Sequence, residues 1–173
     1  MNPFSQIWIN TGATIDYCLI QGKSRGYIYE LIWIGAISLG IVHLIEWHNG
    51  LGIAYFILAS IFWVLILRFL FPAILKVVGD LMNGRASFEQ LQIIVSLACV
   101  PFIIEIFYIL LTVIIPGNQP LSNPIISSIV SVCSIRILVT GLAKTQKITD
   151  TFAFMNWLIP YGLLIILFIL LGR

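Results

Sequence analysis

Residues 83–115 read NGRASFEQLQIIVSLACVPFIIEIFYILLTVII, a polar turn that passes directly into an apolar run much longer than a soluble core helix needs. Ser87 followed by Gln90 fits a capping box, in which hydroxyl and amide satisfy two of the first free backbone donors of a helix. Glu89 adds a negative charge in the first turn, where the helix dipole favours it. From Leu91 onward the residues are apolar for about 25 positions, and at about 1.5 Å per residue that exceeds the roughly 30 Å of bilayer hydrocarbon. The stretch predicts a membrane-spanning helix interrupted by two unusual residues, Pro101 and Glu105.

Composition extends that reading to the whole chain. Hydrophobic residues make up 60% and charged residues 9%, with a mean hydropathy of +1.07; soluble domains run nearer about 45–50% and about 25%. The protein is expected to be integral to a bilayer. A net charge of +2 without a basic run or stripe excludes nucleic acid as a partner. Cys18, Cys99 and Cys133 are odd in number and share no short spacing, so neither a disulfide framework nor a zinc site is expected.

Working outward, residues 1–26 show no basic segment leading into an apolar core with a small-residue cleavage site, so no cleavable signal peptide is expected there. Asn2 and Pro3 read as a cap followed by proline in the first turn. Phe4, Ile7, Trp8, Thr11, Ile15, Cys18 and Leu19 recur at helical spacing, with Asn10, Thr11 and Gly12 as a break. This predicts an amphipathic helix on the membrane surface, anchored by Phe4, Ile7 and Trp8.

Five spans follow from the hydropathy, at about 27–47, 53–75, 91–115, 125–143 and 152–171, forming one domain over 27–173. Tyr27, Tyr29 and Trp47 suit the two interfaces of the first span, where Ala36 and Gly40 offer a face for close helix approach. Pro72 stands near the end of the second span. Asn123 and Pro124 cap the fourth, whose Ser127, Ser128, Ser131 and Ser134 suggest a position inside the bundle. Lys23, Arg25, Lys76, Arg85, Lys144 and Lys147 fall in segments on one side, whereas the other side carries Arg173, Glu46 and His48. The positive-inside rule then puts the N-terminus in the cytoplasm and the C-terminus outside.

The opening Asn2, Pro3, Phe4, Ile7 and Trp8, the turn 84–88 with Gln90 ahead of a helix containing Pro101, and Gly141, Leu142 and Gln146 ahead of the last span together resemble the Yip family of Ypt/Rab-interacting membrane proteins, whose domain also occurs in many bacterial proteins. The resemblance implies five spans over nearly the whole chain. Two departures stand out. Arg136 occupies a neighbourhood where the family leads one to expect an aromatic, and the chain lacks the long cytosolic extension of eukaryotic members. The resemblance therefore implies a short, bacterial-type member in the inner membrane, and a fold more than an activity.

Arg68, Glu105 and Arg136 lie within spans, where a charge costs roughly 2.5–3.5 kcal/mol at a helix centre on insertion scales. Three readings are open: a structural ion-pair cluster, a polar pocket for an anionic group such as a lipid phosphate, or snorkelling of Arg68 to the interface. The polar turn with Lys76, Arg85 and Ser87 is the candidate surface for partners or lipids. His43, Glu46 and His48 have a spacing compatible with a metal but offer no further helix-borne ligand. Glu30 reads as interfacial. Pro101 and Pro160 remove backbone donors inside spans, which kinks a helix or frees carbonyls to line a cavity. No Ser/His, paired-Asp or HExxH arrangement is present, so no catalytic activity and no cofactor are expected. The expected function is a non-enzymatic organiser of membrane lipids, other membrane proteins or copies of itself. The alternative is a small-solute or lipid transporter or channel subunit using the charged cluster, and without an evident inverted repeat that would need an oligomer.

Overall fold

The computed structural model describes residues 3–21, 26–46, 50–114 and 123–171. Lys23, Arg25, Trp47, His48 and Arg173 lie outside them, as do the side chains of Phe4, His43 and Glu46. The described residues are almost entirely helical and contain no strand. In chain order the helices are α1 (Pro3–Ile9), α2 (Thr11–Gln21), α3 (Tyr27–Glu30), α4 (Ile32–Glu46), α5 (Gly50–Leu65), a π turn (Ile66–Leu70), α6 (Phe71–Leu81), α7 (Phe88–Ala98), α8 (Phe102–Ile114), α9 (Pro124–Gln146) and α10 (Asp150–Leu171). Among the described residues three runs are long and apolar enough to cross a bilayer, Gly52–Leu81, Phe88–Thr112 and Pro124–Gln146, and Ile28–Ile41 is apolar but shorter.

The centre of the bundle is α7. Every residue from Leu91 to Pro101 is buried, because α9, α6, the π turn, α2, α3 and α4 all pack around this helix. The capping box forms as its spacing requires: Ser87 Oγ accepts from Gln90 N, and Gln90 Oε1 accepts from Ser87 N at 2.9 Å. At the far end of the bundle α4 runs along α5. Ala36 is fully buried in this seam, and a Cβ on Gly40 would stand 2.5 Å from Ser60 Oγ, so the small residues of α4 do set a close approach. α10 packs on α9 and α6.

Prolines shape two of the helices. Pro72 has no N–H to return to the Arg68 carbonyl four residues back, and Gln92 Nε2 of α7 donates to that carbonyl at 2.8 Å. The backbone widens there into the π turn, where Phe71 N donates to the Ile66 carbonyl. Around Pro101 the backbone tightens instead. Cys99 N and Val100 N donate three residues back, to Ser96 and Leu97, and Phe102 N donates to the Cys99 carbonyl at 3.2 Å. The Ala98 carbonyl takes its donor from Ser134 Oγ of α9, at 2.7 Å. The third hydrophobic run is therefore two helices joined by a tight turn.

The N-terminal segment breaks at Asn10, whose side chain accepts from Ala13 N and so starts α2. Its apolar stripe does not face outward as expected for a surface anchor. Ile7, Ile15 and Cys18 are buried in the same cluster as Leu91, Ile94 and Leu142. Trp8 keeps an exposed side chain, as do Ile9 and Ile20. Ile7 thus belongs to the bundle core: α1 packs on α2, which in turn lies against α7 and α9, an apolar surface that a lipid headgroup layer does not offer.

Candidate functional site

The chain gathers its polar side chains at two places. At the first, α6, α9, α10 and the turn 82–87 meet. Asn83 and Lys147 both adopt left-handed backbone, with φ of 60° and 56°. Each closes a helix by a bond reaching five residues back, Gly84 N to the Gly79 carbonyl at 2.7 Å and Ile148 N to the Ala143 carbonyl at 3.2 Å. The two turns are joined by Arg85 N donating to the Gln146 carbonyl at 3.2 Å. Beneath them, Gln146 Nε2 and Asn156 Nδ2 both donate to the Leu75 carbonyl, each at 3.2 Å, and Asn156 Nδ2 also donates to Gln146 Oε1 at 2.7 Å. Both amides are buried, and Asn156 Oδ1 has no partner.

Of the expected surface residues here, Lys76 bonds both carboxylate oxygens of Asp80 at 3.1 Å. Arg85 is exposed, and Ser87 is the cap already described. Beside them, Lys144 Nζ donates to the Gly12 carbonyl at 3.0 Å and pairs with Asp16, which ties α2 to the end of α9. Turn 82–87, the end of α9 and α2 form one braced polar face.

The second place is inside the apolar part. Glu105 accepts from Ser38 Oγ of α4 at 2.8 Å and from Ser127 Oγ of α9 at 2.6 Å. The expected cluster with the arginines does not form. Arg68 approaches Glu30 at 4.0 Å, with both side chains partly exposed. Arg136 is exposed, and among the described residues no carboxylate pairs with it. The cause lies in helix register: Ser127 and Arg136 are nine residues apart on α9, about 13 Å along the axis, so the helix that brings Ser127 to Glu105 holds Arg136 away. The serines of α9 are divided too. Ser127 and Ser134 turn into the bundle, whereas Ser128 and Ser131 are exposed. Glu105→Gln and Arg136→Gln, made singly and together, are expected to change thermal stability in detergent additively to within about 0.5 kcal/mol. A larger coupling would mean that the two side chains meet.

Between these places a cleft of about 380 Å³ opens beside the Pro101 turn, lined by Gly35, Cys99, Phe102, Ser134, Trp157 and Tyr161 among others. Its wall is apolar except for scattered hydroxyls and one thiol. Gly35 is required there because a Cβ would stand 2.7 Å from Cys99 Sγ. Trp157 stacks on Tyr161 with ring centroids 5.6 Å apart. Among the described residues no three metal-ligating side chains converge, and the His43, Glu46 and His48 set falls outside them.

The residues that the spacing did not single out are Gly79, Asn156, Ser38 and Ser127's partnership with Glu105. Asn156 carried a usable signal, a lone amide within an apolar run, where an unpaired polar group is costly. No family model, curated protein or solved structure matches the chain.

Proposed function

We propose that the chain is a non-enzymatic, five-span membrane protein of the Yip type, with its N-terminus in the cytoplasm, that organises lipids or partner proteins at the cytoplasmic face of a bacterial inner membrane. The observation that carries the reading is the braced polar face. Turn 82–87 is bonded to the end of α9 through Arg85 N and the Gln146 carbonyl, and α2 is bonded to α9 through Lys144. Two residues behind the family resemblance meet in the same region, where Gln146 lies against Gly84. A turn held by three helices presents Lys76, Arg85 and the α2 surface in a fixed arrangement, which is what a docking platform needs. The exposed basic residues favour anionic headgroups or acidic protein segments there.

The test is photo-crosslinking in native membranes from a probe at Arg85, followed by mass spectrometry of what is attached. One reproducible protein, lost when Lys76 and Lys147 are both replaced by Glu, is the expected result. Recovery of lipid alone would move the function to lipid handling, with the cleft beside Pro101 as its seat. No adduct above that of a probe at exposed Leu58 of α5 would remove the platform reading.

A further inference from the structure

One face of α9 is bare. Ile125, Ile129, Val132 and Arg136 recur at helical spacing and are all exposed, Ile125 and Val132 by about two thirds of their surface (68% and 65%). Ser128, also exposed, flanks this stripe. Arg136 sits deep along the helix. It is eight residues, about 12 Å, from Lys144, whose bonds to α2 mark one polar end, and thirteen residues, about 20 Å, from the cap Asn123 at the other. An extended arginine side chain covers only part of either distance. A guanidinium turned to lipid tails at this depth is unfavourable, and among the described residues no carboxylate offsets it.

We infer that this face of α9 seats a transmembrane helix of another protein that carries an Asp or Glu at mid-depth, clasped by Arg136. The inference rests on the membrane-spanning reading above. Charge complementarity selects the occupant. A lipid phosphate lies at the bilayer surface, beyond the reach of Arg136, whereas a helix can bring a carboxylate to any depth. A second copy related by a twofold axis along the membrane normal would set Arg136 against Arg136. The intramembrane carboxylate of this chain, Glu105, is already held by Ser38 and Ser127 on another side of the bundle. Ser128 is small, so a neighbouring backbone can come close enough for the ion pair.

The test uses the full chain, acceptor-labelled, in phosphatidylcholine vesicles with a donor-labelled helix of about 20 leucines, flanked by lysines and bearing one central Glu. A peptide with Gln in that place is the control. The Glu peptide is expected to associate at least about tenfold more tightly than the Gln peptide. Arg136→Leu should abolish the difference, Arg136→Lys should keep part of it, and Val132→Trp should block binding by bulk with the charge intact. Equal binding of the two peptides, or a difference that survives Arg136→Leu, overturns the proposal. Energy transfer between differently labelled copies of the chain alone, lost in Val132→Trp, overturns it in favour of a second copy. Phosphatidylglycerol retained by the wild type and lost from Arg136→Leu overturns it in favour of a headgroup. If Arg136→Leu does not fold, Val132→Trp and the two peptides decide the matter. None of these outcomes alters what a probe at Arg85 attaches, so failure here and failure of the platform reading are separable.

Discussion

Gly79→Ala is expected to be among the most damaging single-methyl changes in this protein. A Cβ at Gly79 would lie 2.1 Å from Gln146 Nε2 and 2.6 Å from its Cδ, far inside contact distance. The amide cannot swing aside freely. It is buried, donates to the Leu75 carbonyl and accepts from Asn156 Nδ2, so any displacement leaves buried polar atoms without partners. Overpacking costs about 1–3 kcal/mol, and one broken buried bond adds about 1–3 kcal/mol. The helix-propensity gain of Ala over Gly returns only about 1 kcal/mol. The expected net loss is about 1–5 kcal/mol, a large part of a typical domain's roughly 5–15 kcal/mol. It is read as a fall in the unfolding midpoint in detergent. Gly79→Ala combined with Gln146→Ala should be less harmful than Gly79→Ala alone, since the clash goes. A Gly79→Ala variant as stable as the parent would mean that α6 and α9 do not meet in this way.

Replacing Glu105 by Leu should cost a comparable amount for a different reason. The carboxylate joins three helices, with Ser38 Oγ of α4 on one oxygen and Ser127 Oγ of α9 on the other. Leu accepts neither bond, and each stranded hydroxyl costs about 1–3 kcal/mol unless it finds a carbonyl on its own helix. A net loss of about 2–4 kcal/mol follows. Glu105→Gln keeps one acceptor oxygen and should lose about 1 kcal/mol or less. If Gln proved as harmful as Leu, hydrogen-bond acceptance would not be what Glu105 contributes.

The sequence showed most clearly what depends on local order. Capping at Ser87 and Asn123, the break at Asn10, three of the apolar runs, and the small-residue seam of α4 are all fixed by residues within a turn or two of one another, and each formed. What depends on how helices are rotated against each other was not legible. Ile7 and Trp8 both read as anchors on paper, yet one is buried in the core and the other exposed, because only one face of α1 turns in towards α2 and the core behind it. Arg68, Glu105 and Arg136 are singled out by cost alone, and cost does not say which neighbour meets it. Serines and an asymmetry of register gave Glu105 two hydroxyls in place of a guanidinium. Prolines were the intermediate case. The Arg68 carbonyl freed by Pro72 is predictable from spacing, but at Pro101 the tight turn shifts the open carbonyl from Leu97 to Ala98, and the side chains that fill both, Gln92 and Ser134, come from other helices.

Those two repairs bear on how the protein is made. The donor for the Arg68 carbonyl lies 24 residues downstream, and the donor for the Ala98 carbonyl 36 residues downstream. At a synthesis rate of about 5–20 residues per second, each helix waits roughly one to seven seconds for the side chain that completes its backbone. During that interval the nascent segment is best held where water or a translocon wall can stand in for the missing donor. The second hydrophobic run thus depends on α7, and α7 on α9, for the donor that completes its backbone.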